Sequence, residues 1–241
     1  MLGYDRFAVP GQLAAEYVRQ YAPDRPIYAL PNTVRETVFR DSVASNRAIR
    51  SEIRSALGIP AMRRLLLLTG RLAREKGIEE FLSAIAGSRV AGDFTFLIAG
   101  DGSLREKLSS WIAQHEQLDV RLVGHLPEYE MARLYAAADC FVLPSLADPN
   151  PLAVIEALWA GLPIMLSNRV GNYPEALVPG ENGWLLDPLD PTGVAKAVEE
   201  WHAAPAATIE AYGKASARIA GENFDTQRAV SRFLEDVLGP S

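Results

Sequence analysis

From Arg64 onward, short apolar runs alternate with stretches whose apolar residues return every three or four positions. The runs at 65–68, 94–99, 120–123, 140–143, 164–166 and 184–186 predict β-strands that are apolar on both faces. Between them, helical spacing predicts helices over 77–86, 104–115, 128–137 and 151–160; Leu104, Leu108, Trp111 and Ile112 mark one such face. Thr69-Gly70 ends the first strand, Gly100-Asp101-Gly102 ends the second, and Gly161-Leu162-Pro163 stops the helix over 151–160. This alternation predicts an α/β chain with a parallel sheet covered on both sides. Right-handed crossovers then give a doubly wound, Rossmann-like domain. Ligands of such sheets bind beyond the carboxyl ends of the strands, so the strand-to-helix loops are where chemistry is expected.

The two ends break this rhythm. Residues 1–35 carry one helix, over 12–21, and one short strand, over 27–30, too little for a domain. After Gly221, the residues Phe224, Val230, Phe233, Leu234 and Val237 form an apolar stripe on a terminal helix. Both ends need a surface to pack on.

Composition narrows the function classes. The chain has 241 residues, 49% of them hydrophobic, and a net charge of -6. A real core is affordable, and no basic face for nucleic acid stands out. An anionic ligand must therefore be held by a few placed cations and backbone dipoles. The single cysteine, Cys140, excludes an internal disulfide and fits a reducing compartment. The first residues lack the basic and apolar regions of a signal peptide, and no apolar run approaches bilayer length. A soluble, cytoplasmic protein is expected.

Two stretches carry candidate chemistry. In "SLADPNPLAVIEALWAGLPIM", Asn150 is placed as an N-cap and Pro151 as the first helical residue. The amides of Leu152 and Ala153 then lack intrahelical partners and, with the helix dipole, form an anion site suited to a phosphate. Glu156 lies about a turn further in, on a helix otherwise apolar, and Asp148 precedes the cap. In "LLLLTGRLAREKGIEEFLSAI", a strand enters a loop with Gly70 and Gly77 and three cations, Arg71, Arg74 and Lys76. Arg71 offers a planar fork for phosphate oxygens, and Lys76 offers a point charge. The bland alternatives are that Asp148 and Asn150 merely cap a turn and that Glu75 and Lys76 pair at the surface.

In this order, the two stretches resemble the donor-binding domain of family 4 glycosyltransferases, retaining enzymes of the GT-B fold. "LPNTVRETVF" is similar to the family's interdomain segment and "GRLAREKG" to its Gly-Arg-Leu-x-x-Glu-Lys-Gly. "FLIAGDGSLREKL", "VRLVGHLPEYEMARLYAAADCFVLPS" and "ALWAGLPIMLSNRVGNYPEALVPGENGWLL" follow its remaining blocks. The family signature is two glutamates eight positions apart; here the second is Glu156 and the first position holds Asp148. The resemblance implies that Glu156 binds the ribose and Asp148 the donor sugar. It implies that Arg71 and Lys76, beside Gly70, neutralise the diphosphate, and that Leu152 and Ala153 present amides at the turn set by Asn150. Val123 would lie near the base. Glu175 falls where the family has a glycine-rich donor loop, with Asn172 in place of a glycine.

The resemblance further divides the chain into 1–35, the end of an N-terminal domain and its linker; 36–221, the nucleotide-sugar domain; and 222–241, a helix that packs on the N-terminal domain. It implies transfer of a sugar from a UDP-, GDP- or ADP-linked donor to a sugar, lipid or other hydroxyl acceptor, with retention. No metal and no cofactor are expected, with Asp148 and Glu156 as the catalytic pair. An acceptor domain or partner subunit would complete the site, and the whole enzyme would be cytoplasmic or peripheral to a membrane. A non-catalytic nucleotide-sugar-binding module is the alternative, and a GT-B epimerase is disfavoured. "GDGSLR" lacks the third glycine of a dinucleotide fingerprint, having Arg105 there. His115, His125 and His202 lack the spacing of a zinc site.

Overall fold

The computed structural model describes residues 4–239. The chain begins with β1 (Phe7–Val9), α1 (Gln12–Tyr21) and β2 (Ile27–Ala29), where β1 and β2 pair in parallel as a small separate sheet. Two helices follow, α2 (Glu36–Ala48) and α3 (Arg50–Ala56). The main unit then alternates β3 (Arg64–Thr69), α4 (Ile78–Ala86), β4 (Phe94–Ala99), α5 (Arg105–Ala113), β5 (Asp119–Gly124), α6 (Glu128–Ala137) and β6 (Cys140–Leu143). It continues with α7 (Leu152–Trp159), β7 (Ile164–Ser167), the short α8 (Tyr173–Ala176), β8 (Gly183–Leu186), α9 (Pro191–Ala203), α10 (Ala206–Asn223) and α11 (Thr226–Leu238).

The six strands of the main sheet are all parallel, in the order β5-β4-β3-β6-β7-β8. Counted from β3, this is the doubly wound order 3-2-1-4-5-6, which reverses direction between β3 and β6. Alternation along each strand builds the two covered faces. Leu65 and Leu67 of β3 pack with Phe39, Val43 and Ile53 and with residues of α6, α7 and α10. Leu66 and Leu68 pack instead on α4, α5 and α9, through Phe81, Leu108 and Trp201 among others. All four leucines are essentially unexposed, so β3 is the centre of the core.

The predicted main strands stand within a residue or two of their expected bounds, and the helix over 128–137 matches α6. Gly221 lies inside α10, where it packs on Trp159, and α11 begins only at Thr226. That last helix lies on β2, with Phe233 edge-on to Tyr28 at 6.3 Å. Val230, Leu234 and Leu238 of α11 are exposed, as are Tyr17 and Tyr21 of α1. Among the described residues, no helix is long and apolar enough to cross a membrane.

Candidate nucleotide-sugar site

The carboxyl ends of the strands are tied into a frame by main-chain hydrogen bonds. Gly70 N donates to Ala99 O (3.0 Å), Gly100 N to Gly124 O (2.7 Å) and Leu72 N to Asp101 O (2.9 Å), linking the loops after β3, β4 and β5. Gly100 sits so close to Gly70 that a Cβ there would collide with its carbonyl oxygen. Leu146 N donates to Glu75 O (2.8 Å) and Gly171 N to Asp148 O (2.7 Å), which joins the loops after β3, β6 and β7. Gly77 takes a left-handed φ of 63° to carry the β3 loop into α4, against the Pro144 carbonyl. Such a φ favours a residue without Cβ.

Within this frame lies a cavity of about 420 Å³ lined by Thr69, Gly70, Arg71, Gly100, Asp101, His125, Leu126, Met131, Ala153 and Glu156, among others. The structure therefore brings Arg71 and Glu156, which the sequence separates by a long interval, to one concavity at the switch point of the sheet. Cavities of about 530 and 520 Å³ lie around Arg47 and Arg50. They open at the amino ends of the strands, where Arg50 and Arg54 pair with Asp139 at the head of β6. The smaller cavity is the candidate site, because Ala153 at the open start of α7, the exposed Arg71 and the Glu156 carboxylate all line it.

The helix start differs from expectation in one respect. Asn150 does not cap α7: Pro151 holds the N-cap position, and no side chain bonds the first turn. Asn150, flanked by Pro149 and Pro151, lies in a bend one residue further out than the cap position. There the Asn150 side chain accepts from Asn172 Nδ2 (3.2 Å), which also donates to Pro151 O (3.1 Å). The turn is thus fixed from behind, while the Leu152 and Ala153 amides stay open as anion donors.

Arg71 and Lys76 are not equivalent. Arg71 is largely exposed and pairs with Glu75 (2.7 Å), a contact a stronger anion can displace. The alternative Glu75–Lys76 surface pair does not form. Lys76 Nζ instead lies 2.5 Å from Asp148 Oδ2, with the two side chains 19% and 9% exposed. The Lys76 stem passes beside Gly70, and neither Lys76 nor Asp148 lines the cavity itself. Val123 does not line the cavity. It is a residue of β5 packed on the apolar cluster, and the loop residues His125 and Leu126 line the cavity in its stead. Glu175 faces elsewhere: its Oε1 accepts from Gln12 N (2.5 Å) at the start of α1.

Glu156 is mostly buried, and Tyr135 donates to its Oε2 at 2.8 Å. Burial lifts the Glu156 carboxyl above the ordinary glutamate value, the Tyr135 hydrogen bond opposes that rise, and Glu128 adds to it. The sequence reading missed Tyr135; its signal was only a tyrosine on the buried side of a helix, indistinguishable from core.

A profile of the family Glycosyl transferases group 1 matches residues 49–218. The glycogen synthase of Mycobacterium tuberculosis (strain CDC 1551 / Oshkosh) is 35% identical over 210 residues, covering 86% of this chain and 49% of that protein. The sucrose-phosphate synthase of Thermosynechococcus elongatus superposes with a TM-score of 0.80 at 23% identity, over 99% of this chain and 60% of the other. Anabaena HepE, solved with UDP and glucose, superposes with a TM-score of 0.79 at 18% identity, over 98% of this chain and 64% of that one. The chain thus spans about half the length of the curated relative it matches. The structural likenesses give the fold, that of the Rossmann-like C-terminal domain of GT-B proteins.

Proposed function

The chain belongs to the group 1 glycosyl transferases, and from that premise we propose that it binds a nucleotide-diphosphate sugar and supplies the donor half of a retaining transfer to a hydroxyl acceptor. The observation that carries this reading is the shared cavity: Arg71, the open start of α7 and the carboxylate of Glu156 converge on it. Arg71 and the Leu152 and Ala153 amides meet the diphosphate, with Lys76 reinforcing the charge from beside Gly70. They stabilise the negative charge that grows on the leaving phosphate, so neither a metal nor a cofactor is required. Glu156 accepts from the ribose hydroxyls, with His125 and Leu126 toward the base. Asp148 positions the donor sugar once the anion draws Lys76 toward it. The UDP bound in HepE supports a uridine donor ahead of GDP- or ADP-sugars. The acceptor, a sugar, lipid or other hydroxyl compound, is presented by a further domain or subunit.

Thermal unfolding with UDP-, GDP- and ADP-sugars tests the proposal. A donor at a hundred times its dissociation constant stabilises the chain by about 2.7 kcal/mol. Arg71→Ala and Glu156→Gln should lose most of that gain. A wild-type chain unmoved by every nucleotide sugar refutes the reading. Binding without turnover, even when the acceptor domain is supplied, would select the non-catalytic binding module.

A further inference from the structure

Tyr135 lies on α6 beneath the cavity and is fully buried. Its hydroxyl is 2.8 Å from Glu156 Oε2, 3.3 Å from Thr69 Oγ1 and 3.3 Å from the Ala153 carbonyl oxygen. A phenol has one proton to give, and the shortest contact, to a carboxylate, takes it. Thr69 then donates to the phenol oxygen, which makes a chain from Thr69 through Tyr135 to Glu156. The ring cannot swing away: Phe39 meets it edge-on at 5.4 Å and Phe141 lies at 6.0 Å. Burial, and then the charge of Glu156, push ionisation of this phenol well above its ordinary value, so it remains a donor.

The arrangement divides the Glu156 carboxylate. Oε2 faces Tyr135, and the cavity is left to Oε1. The charged and titratable groups that share this cavity with Glu156 are Arg71 from the loop after β3, Asp101 from the loop after β4 and His125 from the loop after β5, and Glu128 at the start of α6 acts on Glu156 through its charge. Tyr135 is the one group among the described residues that hydrogen-bonds the Glu156 side chain.

We propose that Tyr135 is a positioning residue for donor binding: with Thr69 behind it, it orients Glu156 so that Oε1 meets the ligand hydroxyls. The proposal rests on the reading of Glu156 given above. It also ties Thr69, which directly precedes Gly70 and Arg71, to the carboxylate across the cavity, so the two sides of the site share one hydrogen-bonded chain.

The test compares wild type with Tyr135→Phe, Thr69→Val, Glu156→Gln and the Tyr135→Phe/Glu156→Gln double variant, each checked for folding by near-ultraviolet circular dichroism. A carbon-13 NMR titration of the Glu156 carboxyl in the ligand-free chain should move to higher pH in Tyr135→Phe, and in the same direction but less in Thr69→Val. Affinity for UDP-glucose, by calorimetry, should fall about tenfold in Tyr135→Phe at mildly acidic pH, the loss expected of one hydrogen bond to a charged group. The loss should shrink as pH rises, because a higher pH favours the ionised carboxylate without the hydrogen bond. The double variant should bind no worse than Glu156→Gln alone. An unmoved Glu156 titration, a loss independent of pH, or additive losses in the double variant would overturn the proposal. A wild-type chain that binds no nucleotide sugar would instead overturn the proposed function, while the ligand-free titration still decides the Tyr135–Glu156 coupling.

Discussion

Replacing Lys76 by methionine separates two cations that look interchangeable in the sequence. In the folded chain Lys76 is the counter-ion of Asp148, whose side chain is only 9% exposed and is held by a loop tied to Arg169 and Gly171. Methionine keeps the apolar stem but leaves that carboxylate unpaired. Breaking a buried pair from one side costs about 3–5 kcal/mol, and partial exposure of Lys76 argues for the lower end, about 3 kcal/mol. With a urea slope of roughly 2 kcal/mol per molar, the midpoint should fall by about 1.5 M. Arg71→Ala is the internal control, since its pair with Glu75 is exposed and should contribute less than about 1 kcal/mol. Adding Asp148→Asn to Lys76→Met should restore most of the loss, because a neutral amide needs no counter-ion. Urea unfolding of the four chains decides it. Equal losses for Lys76→Met and Arg71→Ala, or no rescue by Asp148→Asn, would refute the assignment of Lys76 as a buried partner.

Glu156→Gln should change how stability depends on pH. Because burial raises the Glu156 carboxyl above its unfolded value of about 4.3, the folded chain keeps this proton to higher pH than the unfolded one. The stability tied to the neutral form is therefore full below the unfolded value and is lost as pH rises through the folded one. Relative to wild type, the glutamine variant should gain stability in urea melts as pH rises above the unfolded glutamate value, while losing donor affinity; a difference that stays constant with pH would contradict this. Gly77→Ala should destabilise by about 2 kcal/mol or more, from its left-handed φ and the contact with the Pro144 carbonyl. It should also weaken donor binding by shifting the loop that carries Arg71, read by calorimetric titration alongside the melt.

What the sequence made legible follows the range of the forces involved. The four inner strands, β4, β3, β6 and β7, were readable because each is a short apolar run buried on both faces, a local signal; the edge strands β5 and β8 are partly exposed, and β5 carries Asp119 and Arg121. The helix pair α2 and α3 was not: it buries little beyond Phe39, Val43, Ile53 and the stem of Arg54, and its exposed turns are polar. Three residues of β1 are too few to show a period, and they are strand only because Ile27–Ala29 pairs with them. At the site, residue types were legible and partners were not. Lys76 meets Asp148 and Tyr135 meets Glu156 across the fold, at separations where no periodicity operates. Asn150 has the composition of a helix cap, but the flanking prolines move it out of register and Asn172 captures it. The open helix start that results was expected for the right end and the wrong reason.

The central claim is that Arg71, the start of α7 and Glu156 serve one ligand. Nitrogen-15 NMR of the whole chain, titrated with UDP-glucose, tests it most directly. The account predicts that the amides of Gly70, Arg71, Leu152 and Ala153 shift together along one saturation curve, and that Glu156→Gln weakens that curve at every one of them. Shifts confined to the cavities around Arg47 and Arg50, or silent Leu152 and Ala153 amides in a saturated chain, would contradict it.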